Sequence, residues 1–224
     1  MSQIEGVLKK LENTSVYDLL VKMEEAYQRI SNEQNDWYKK SRFNCPSACG
    51  DCCKGFEPDL FEGEALYMAA WLLENQPFIA KKVAEGDFPF NHQDGTCLFF
   101  NPDSPFHCSI YFGRAFICRL FGASSYHSRN GEKVWRPCKF YPDEYLASHK
   151  PPLQKRQYSQ EETLTVLGAI PPLMSDLIEE ARSLSSPETF LIQDILPKAV
   201  QRLLWLMDMN DNDNPNGTPS PAAA

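Results

Sequence analysis

Four cysteines stand within nine residues, Cys45-Pro-Ser-Ala-Cys49-Gly-Asp-Cys52-Cys53, and four more follow at Cys97, Cys108, Cys118 and Cys138. All eight fall in a window of 94 residues, where they make up roughly 8.5% of the chain. Over all 224 residues they amount to about 3.6%, below the 8–10% that marks a chain held together by disulfides. The demand for sulfur is therefore local. Gaps of three and two residues let a loop wrap until several sulfurs lie within the roughly 2.3 Å bonds that zinc or iron requires. Gly50 lowers the cost of positive φ in such a loop, and Pro46 stiffens its entry. In extended backbone the adjacent Cys52 and Cys53 point to opposite sides. One then serves the main site while the other reaches a second metal, bridges two, or packs in the core. The plainer alternatives are buried thiols acting as small hydrophobes and a disulfide framework.

Composition narrows the rest. A formal net charge of −8 and a pI near 5.1 disfavour binding to nucleic acid or an anionic membrane, since both reward clustered Lys and Arg. The N-terminus lacks the apolar run of a secretory signal. The longest apolar segments, near 65–73 and 200–207, fall far short of the roughly 20 residues of a membrane span. The expected compartment is the cytoplasm, where clustered cysteines point to metal or redox chemistry.

Apolar residues Val16, Leu19, Leu20, Met23, Tyr27 and Ile30 recur every three or four positions and predict an amphipathic helix over 15–40, opened by a capping box of Ser15 and Asp18. A second helix, 60–75, is apolar nearly all round and should be buried. Pro77 suits the first turn of a third, ending near Gly86. Asn130-Gly131, between SSYHSR and EKVW, predicts a β-hairpin with a type I′ turn. Helical patterns return at Ser159 with Glu162, along Leu173, Leu177, Ile178, Ala181 and Leu184, and over 187–207, where Pro197 predicts a kink. From 209 to 224 the composition is that of a disordered tail. The expected fold is mainly α, with an irregular cysteine-rich middle and a small β-hairpin (α+β in minor part). It forms a single metal-binding domain, 1–208, with helical segments 15–40 and 159–207 flanking a cysteine-cluster core, 43–142.

The opening cluster is followed by Cys97 with apolar residues after it, by Cys108 leading into Ile110, Tyr111 and Arg114, and by Cys118-Arg119. Over about residues 43–122 this resembles the putative zinc- or iron-chelating cysteine-cluster family, CxxCxxCC or YkgJ-type. The resemblance implies metal chelation by Cys45, Cys49, Cys52, Cys53, Cys97, Cys108 and Cys118. Ala115 replaces the proline usual after the arginine, and Cys138 lies outside the core of the match but is carried as a candidate ligand. Some relatives occur in proteins linked to flagellin lysine methylation, yet this chain has no glycine-rich cofactor loop.

Arg114 and Arg119 are expected beside the thiolates, donating to sulfurs or to backbone carbonyls and offsetting charge; as surface residues they would pair with acids instead. Twelve of the 27 aromatic residues lie between Phe99 and Tyr145, either as plain core or as a shell that keeps water from a redox centre. Of His92, His107, His127 and His149 only His107, next to Cys108, invites a ligand role. Glu161-Glu162 and Glu179-Glu180 read as solvated helix faces.

Three functions follow. The first is a cytoplasmic metal-binding protein holding zinc or an iron or iron-sulfur centre, for metal handling or redox. The second is an iron-sulfur enzyme of radical S-adenosylmethionine or protein-modifying type, since Cys45, Cys49 and Cys52 have the C-x3-C-x2-C spacing of such enzymes. The third is a structural zinc module presenting a surface to a protein partner of unknown identity. The metal ion itself is the one partner the sequence names.

Overall fold

A computed structural model of the chain describes residues 2–43, 49–90 and 95–212. The stripe Val16, Leu20, Met23, Tyr27 and Ile30 forms the buried face of helix α2, Tyr17–Lys40, with Leu19 half-buried beside it. The start differs from expectation. The helix opens behind Val16 with no side-chain cap, so Ser15 and Asp18 form no capping box.

Helix α3, Glu62–Asn75, buries ten of its fourteen residues. It packs against α2, against α4 (Pro77–Ala84, with Pro77 in its first turn) and against α9 (Ile192–Asn212). A short strand β1, Asp59–Phe61, precedes α3 and pairs antiparallel with β5, Thr189–Leu191, which precedes α9. This pair ties the starts of two core helices together. Helix α8, Met174–Ser183, covers α2. Helix α1, Glu5–Lys10, is too short to show a period. It is anchored by buried Ile4, Val7 and Leu11 and by two carboxylates of the frame: Val7 N–H donates to Glu74 Oε2 (2.8 Å) and Gln3 N–H to Glu24 Oε1 (2.8 Å). Helix α9 contains Pro197 and continues to Asn212, so residues 209–212 are helical where a tail was expected. The remaining tail, 213–224, lies outside the described residues, as do Cys45 and His92.

Strands β2, Ser125–His127, and β3, Lys133–Trp135, form the expected hairpin, with Ser125 opposite Trp135, and β4, Tyr158–Ser159, pairs with the other edge of β3. The turn is not type I′. Ser128 N–H donates to Glu132 O, Gly131 N–H donates to Ser128 O, and Gly131 has positive φ (81°) while Asn130 does not. This is a three-residue loop, a type I turn closed by a left-handed glycine. After helix α6, Asp143–Ser148, helix α7, Gln160–Leu167, begins with the expected capping box: Ser159 Oγ accepts from Glu162 N–H (3.1 Å) and Glu162 Oε2 from Ser159 N–H (2.8 Å).

Two apolar cores result. The larger joins α1, α2, α3, α4, α8 and α9 with Cys97, Phe99, Ile110 and Phe116. The smaller gathers Phe43, Ala123, Trp135, Cys138, Tyr141 and Tyr158, with Trp37 from the far end of α2. The fold is thus mainly α, with a cysteine-rich middle and small sheets. Among the described residues no helix is long and apolar enough to cross a membrane.

Candidate metal centre

Gly50 has a left-handed φ of 56° and starts a 3-10 turn, Asp51–Lys54, that carries Cys52 and Cys53. The two cysteines are therefore not extended, and their side chains do not diverge. Their sulfurs lie 4.0 Å apart, close to the roughly 3.8 Å edge of a tetrahedron with 2.3 Å metal–sulfur bonds. The loop can take this path only because position 50 has no side chain. A Cβ there would come within 2.4 Å of His107 Cβ and 2.6 Å of His107 Nδ1. His107 is itself left-handed (φ 53°), and its Nδ1 is buried with no hydrogen-bond partner.

Backbone hydrogen bonds join the turn to the next cysteine segments. Cys97 N–H donates to Cys53 O (2.7 Å), Ser109 N–H donates to Phe99 O (3.0 Å), and Phe100 pairs with Cys108 across an isolated antiparallel bridge. Cys118 comes from a one-turn helix α5, Phe116–Leu120, whose cap residue Ala115 offers no side-chain acceptor. Glu64 supplies one from α3: it is 2% exposed, and its carboxylate accepts from Phe116 N–H (2.7 Å) and Phe61 N–H (3.1 Å). Gln34 of α2 fixes the other end by donating to Arg119 O (2.7 Å). Cys138 arrives from the smaller core, against the left-handed Gly122 (φ 66°), where a Cβ would lie 3.0 Å from Cys138 N.

The result is a cavity of about 720 Å³ lined by Cys49, Cys52, Cys53, Cys97, Cys108, Cys118 and Cys138. These are all the predicted cysteines that the description covers, and Arg114 and Arg119 line the same cavity. The chain has thirty Asp and Glu residues, yet among the described residues the wall holds no carboxylate and no charges but the two guanidinium groups. Among the described residues no three Cys, His, Asp or Glu side chains converge closely enough to grip one ion. Cys52, Cys53, Cys97, Cys108 and Cys118 are thiols outside any disulfide.

The arginines divide their work. Arg119 donates from Nε to Arg114 O (3.4 Å), from Nη1 to Ser31 Oγ (3.3 Å) and from Nη2 to Phe112 O, and it lies over the Tyr27 ring. Its donors go to carbonyls and a hydroxyl, so it braces the wall. Arg114 stacks on Tyr111 (3.6 Å to the centroid) and donates to Tyr111 O, while its buried Nε has no partner. Tyr111 stacks in turn on Phe106, and Phe112 stands edge-on to Tyr111. With Phe106 40% and Phe112 51% exposed, the aromatic-rich segment supplies an open rim to the cavity as well as core.

The hydrogen bond shared with Cys53 lowers Cys52 to about 7, with Arg114 assisting against burial, and the same contact pushes Cys53 up. Burial raises Cys97 to about 12 and raises Cys108 and Cys118, neighbouring sulfurs adding to the effect. Burial likewise raises Glu64 to about 7 against the pull of its two N–H donors. Glu64 is the site residue the sequence reading missed. Its signal was an acid at the start of a helix with little polar face.

Residues 44–150 match the model of the CxxCxxCC family, described as a putative zinc- or iron-chelating domain. The resemblance read from the cysteine spacing holds, and the matched region runs past residue 122 to take in Cys138. No curated protein and no solved structure matches the chain.

Proposed function

We propose that this chain, through its CxxCxxCC region, holds zinc or an iron or iron-sulfur centre in the cysteine-lined cavity, within one domain spanning residues 1–208. The observation that carries the reading is a shared cavity: seven cysteines, from position 49 to position 138, line its wall. Donor chemistry fits, because thiolates suit zinc and iron and Cys52 and Cys53 already stand at the separation of two ligands on one ion. Buried thiols resist ionising. A cation is what would make them thiolates, while Arg114, with its unpartnered Nε, offsets part of the charge.

Cys45 is proposed as a further ligand because it lies four residues before Cys49 in the matched region. The cytoplasm is the proposed setting, since a reducing compartment keeps these thiols available. Zinc would staple the irregular wall, whereas iron would add redox chemistry. Anaerobic purification followed by metal and acid-labile sulfide analysis with a visible spectrum tests the reading. Iron with sulfide and a broad band near ~400 nm supports a cluster, and a colourless protein with stoichiometric zinc supports the zinc form. A protein purified without either metal, and refusing both on reconstitution, contradicts the proposal.

A further inference from the structure

A cavity of about 720 Å³ has the size that proteins use for small organic ligands, roughly 300–1,000 Å³. Its rim differs in chemistry from its cysteine wall. Tyr111 lies between two flat groups: the Arg114 guanidinium, 3.6 Å from the ring centre, and the Phe106 ring, stacked at 4.2 Å. Two groups this close to one ring cannot share a face, so they cover opposite faces. Phe112 stands at 76° to Phe106 with the ring centres 6.1 Å apart, and the two rings make a corner. Both line the cavity, yet they are 40% (Phe106) and 51% (Phe112) exposed.

Among the described residues the only charges in the wall are Arg114 and Arg119, in a chain whose net charge is −8. The two guanidinium groups are not equivalent. Arg119 directs donors to Arg114 O, Ser31 Oγ and Phe112 O. Two of these acceptors belong to the segment that carries Arg114, so Arg119 pins its backbone. Arg114 gives one donor to Tyr111 O, and its other N–H groups find no acceptor among the described residues. A guanidinium has five N–H donors in a planar fork. Its charge acts on the thiols through space and takes up none of them. Held by Tyr111 and by its own backbone, this fork is organised in advance for an anion.

We propose that the cavity is also a binding site for a small aromatic carboxylate, its acid group taken by Arg114 and its ring lying in the corner between Phe106 and Phe112. One guanidinium with donors to give matches one negative charge, which favours a carboxylate over a phosphate dianion. The corner favours a flat body, because a ring laid against one side chain meets the other edge-on. Arginine suits the acid group better than lysine would, since its fork matches the two carboxylate oxygens. The site stands on the rim residues and does not depend on a metal in the cavity.

The test titrates the whole chain, as purified and reduced, with 4-(trifluoromethyl)benzoate and with the neutral 4-(trifluoromethyl)benzamide, both followed by fluorine NMR of the ligand. The acid should bind roughly tenfold or more tighter than the amide. Arg114→Gln should bring the acid down to the affinity of the amide and leave the amide unchanged. Phe112→Ala, at an exposed ring, should weaken both by roughly threefold to tenfold. If Arg114→Gln does not fold, the acid-to-amide ratio of the wild type and Phe112→Ala decide. Equal affinities for acid and amide, no saturable binding of the acid, or an Arg114→Gln variant that binds the acid as wild type does overturns the proposal. Metal content is measured on the same samples, and acid binding that follows the metal rather than residue 114 overturns it too. The reading as a metal centre is decided separately, by that metal content.

Discussion

The helical frame and the cysteine-bearing wall are held by different kinds of contact. In the frame, α2, α3 and α9 bury long apolar faces, and stability is spread over many side chains such as Leu66, Leu72, Leu196 and Val200. In the wall, segments of three to five residues are fixed by single hydrogen bonds and by backbone conformations that few residues adopt: Cys97 N–H on Cys53 O, Gly50 against His107, and the three donors of Arg119. The frame loses stability in proportion to area removed. The wall fails at individual atoms, and that is where a bound metal would contribute most.

Glu64 belongs to both regions and gives the largest expected effect. Its folded acidity constant, about 7, lies above the ordinary 4.5 because burial favours the neutral acid. The folded chain therefore binds this proton more tightly than the unfolded chain. The resulting stability is complete below about pH 4.5 and is lost as pH rises through 7, about 3 kcal/mol in all. Glu64→Gln cannot titrate. Urea unfolding from pH 4.5 to 8 should show wild type losing about that much relative to the variant. Parallel curves would mean that the carboxylate is not buried as described.

Gly50→Ala sharpens the comparison inside the wall. The methyl group has no room beside His107, and φ is positive. A loss of roughly 1–3 kcal/mol is expected, together with weaker metal binding, because the turn carrying Cys52 and Cys53 must move. His107→Gly in the same chain removes the opposing Cβ and ring and should restore part of both losses. No coupling between the two substitutions in a double-mutant cycle would break the account of this contact.

The smallest effect concerns the hairpin. Gly131→Ala should cost about 1 kcal/mol because residue 131 alone is left-handed and the space around it is open. Asn130→Ala should be near neutral in thermal unfolding. A type I′ turn, with positive φ at both positions, would make the two substitutions comparable.

The same contrast decides what could be read from the chain. Helices α2, α3 and α4 were legible because apolar spacing and Pro77 act locally, and the start of α7 because Ser159 and Glu162 carry the capping chemistry in sequence. The turn at Asn130-Gly131 was located but mistyped, since the same dipeptide serves two loops that differ only in which residue takes positive φ. The cysteines announced themselves by spacing. That Cys138 faces the same cavity depends on the tertiary contact at Gly122, which no local pattern encodes. Cys52 and Cys53 were expected to diverge because extended backbone was assumed, and the 3-10 turn brings their sulfurs together instead. Glu64 stayed hidden because an acid in the first turn of a helix ordinarily faces water and favours the dipole, whereas here it caps a helix 52 residues away.

The central claim, that the cysteine-lined cavity is a thiolate metal centre, is tested most directly by X-ray absorption at the metal edge of the loaded protein. The account predicts a nearest shell of sulfur, with about four sulfurs per metal at roughly 2.3 Å. A shell dominated by nitrogen or oxygen at about 2.0–2.2 Å would place the metal elsewhere and contradict it.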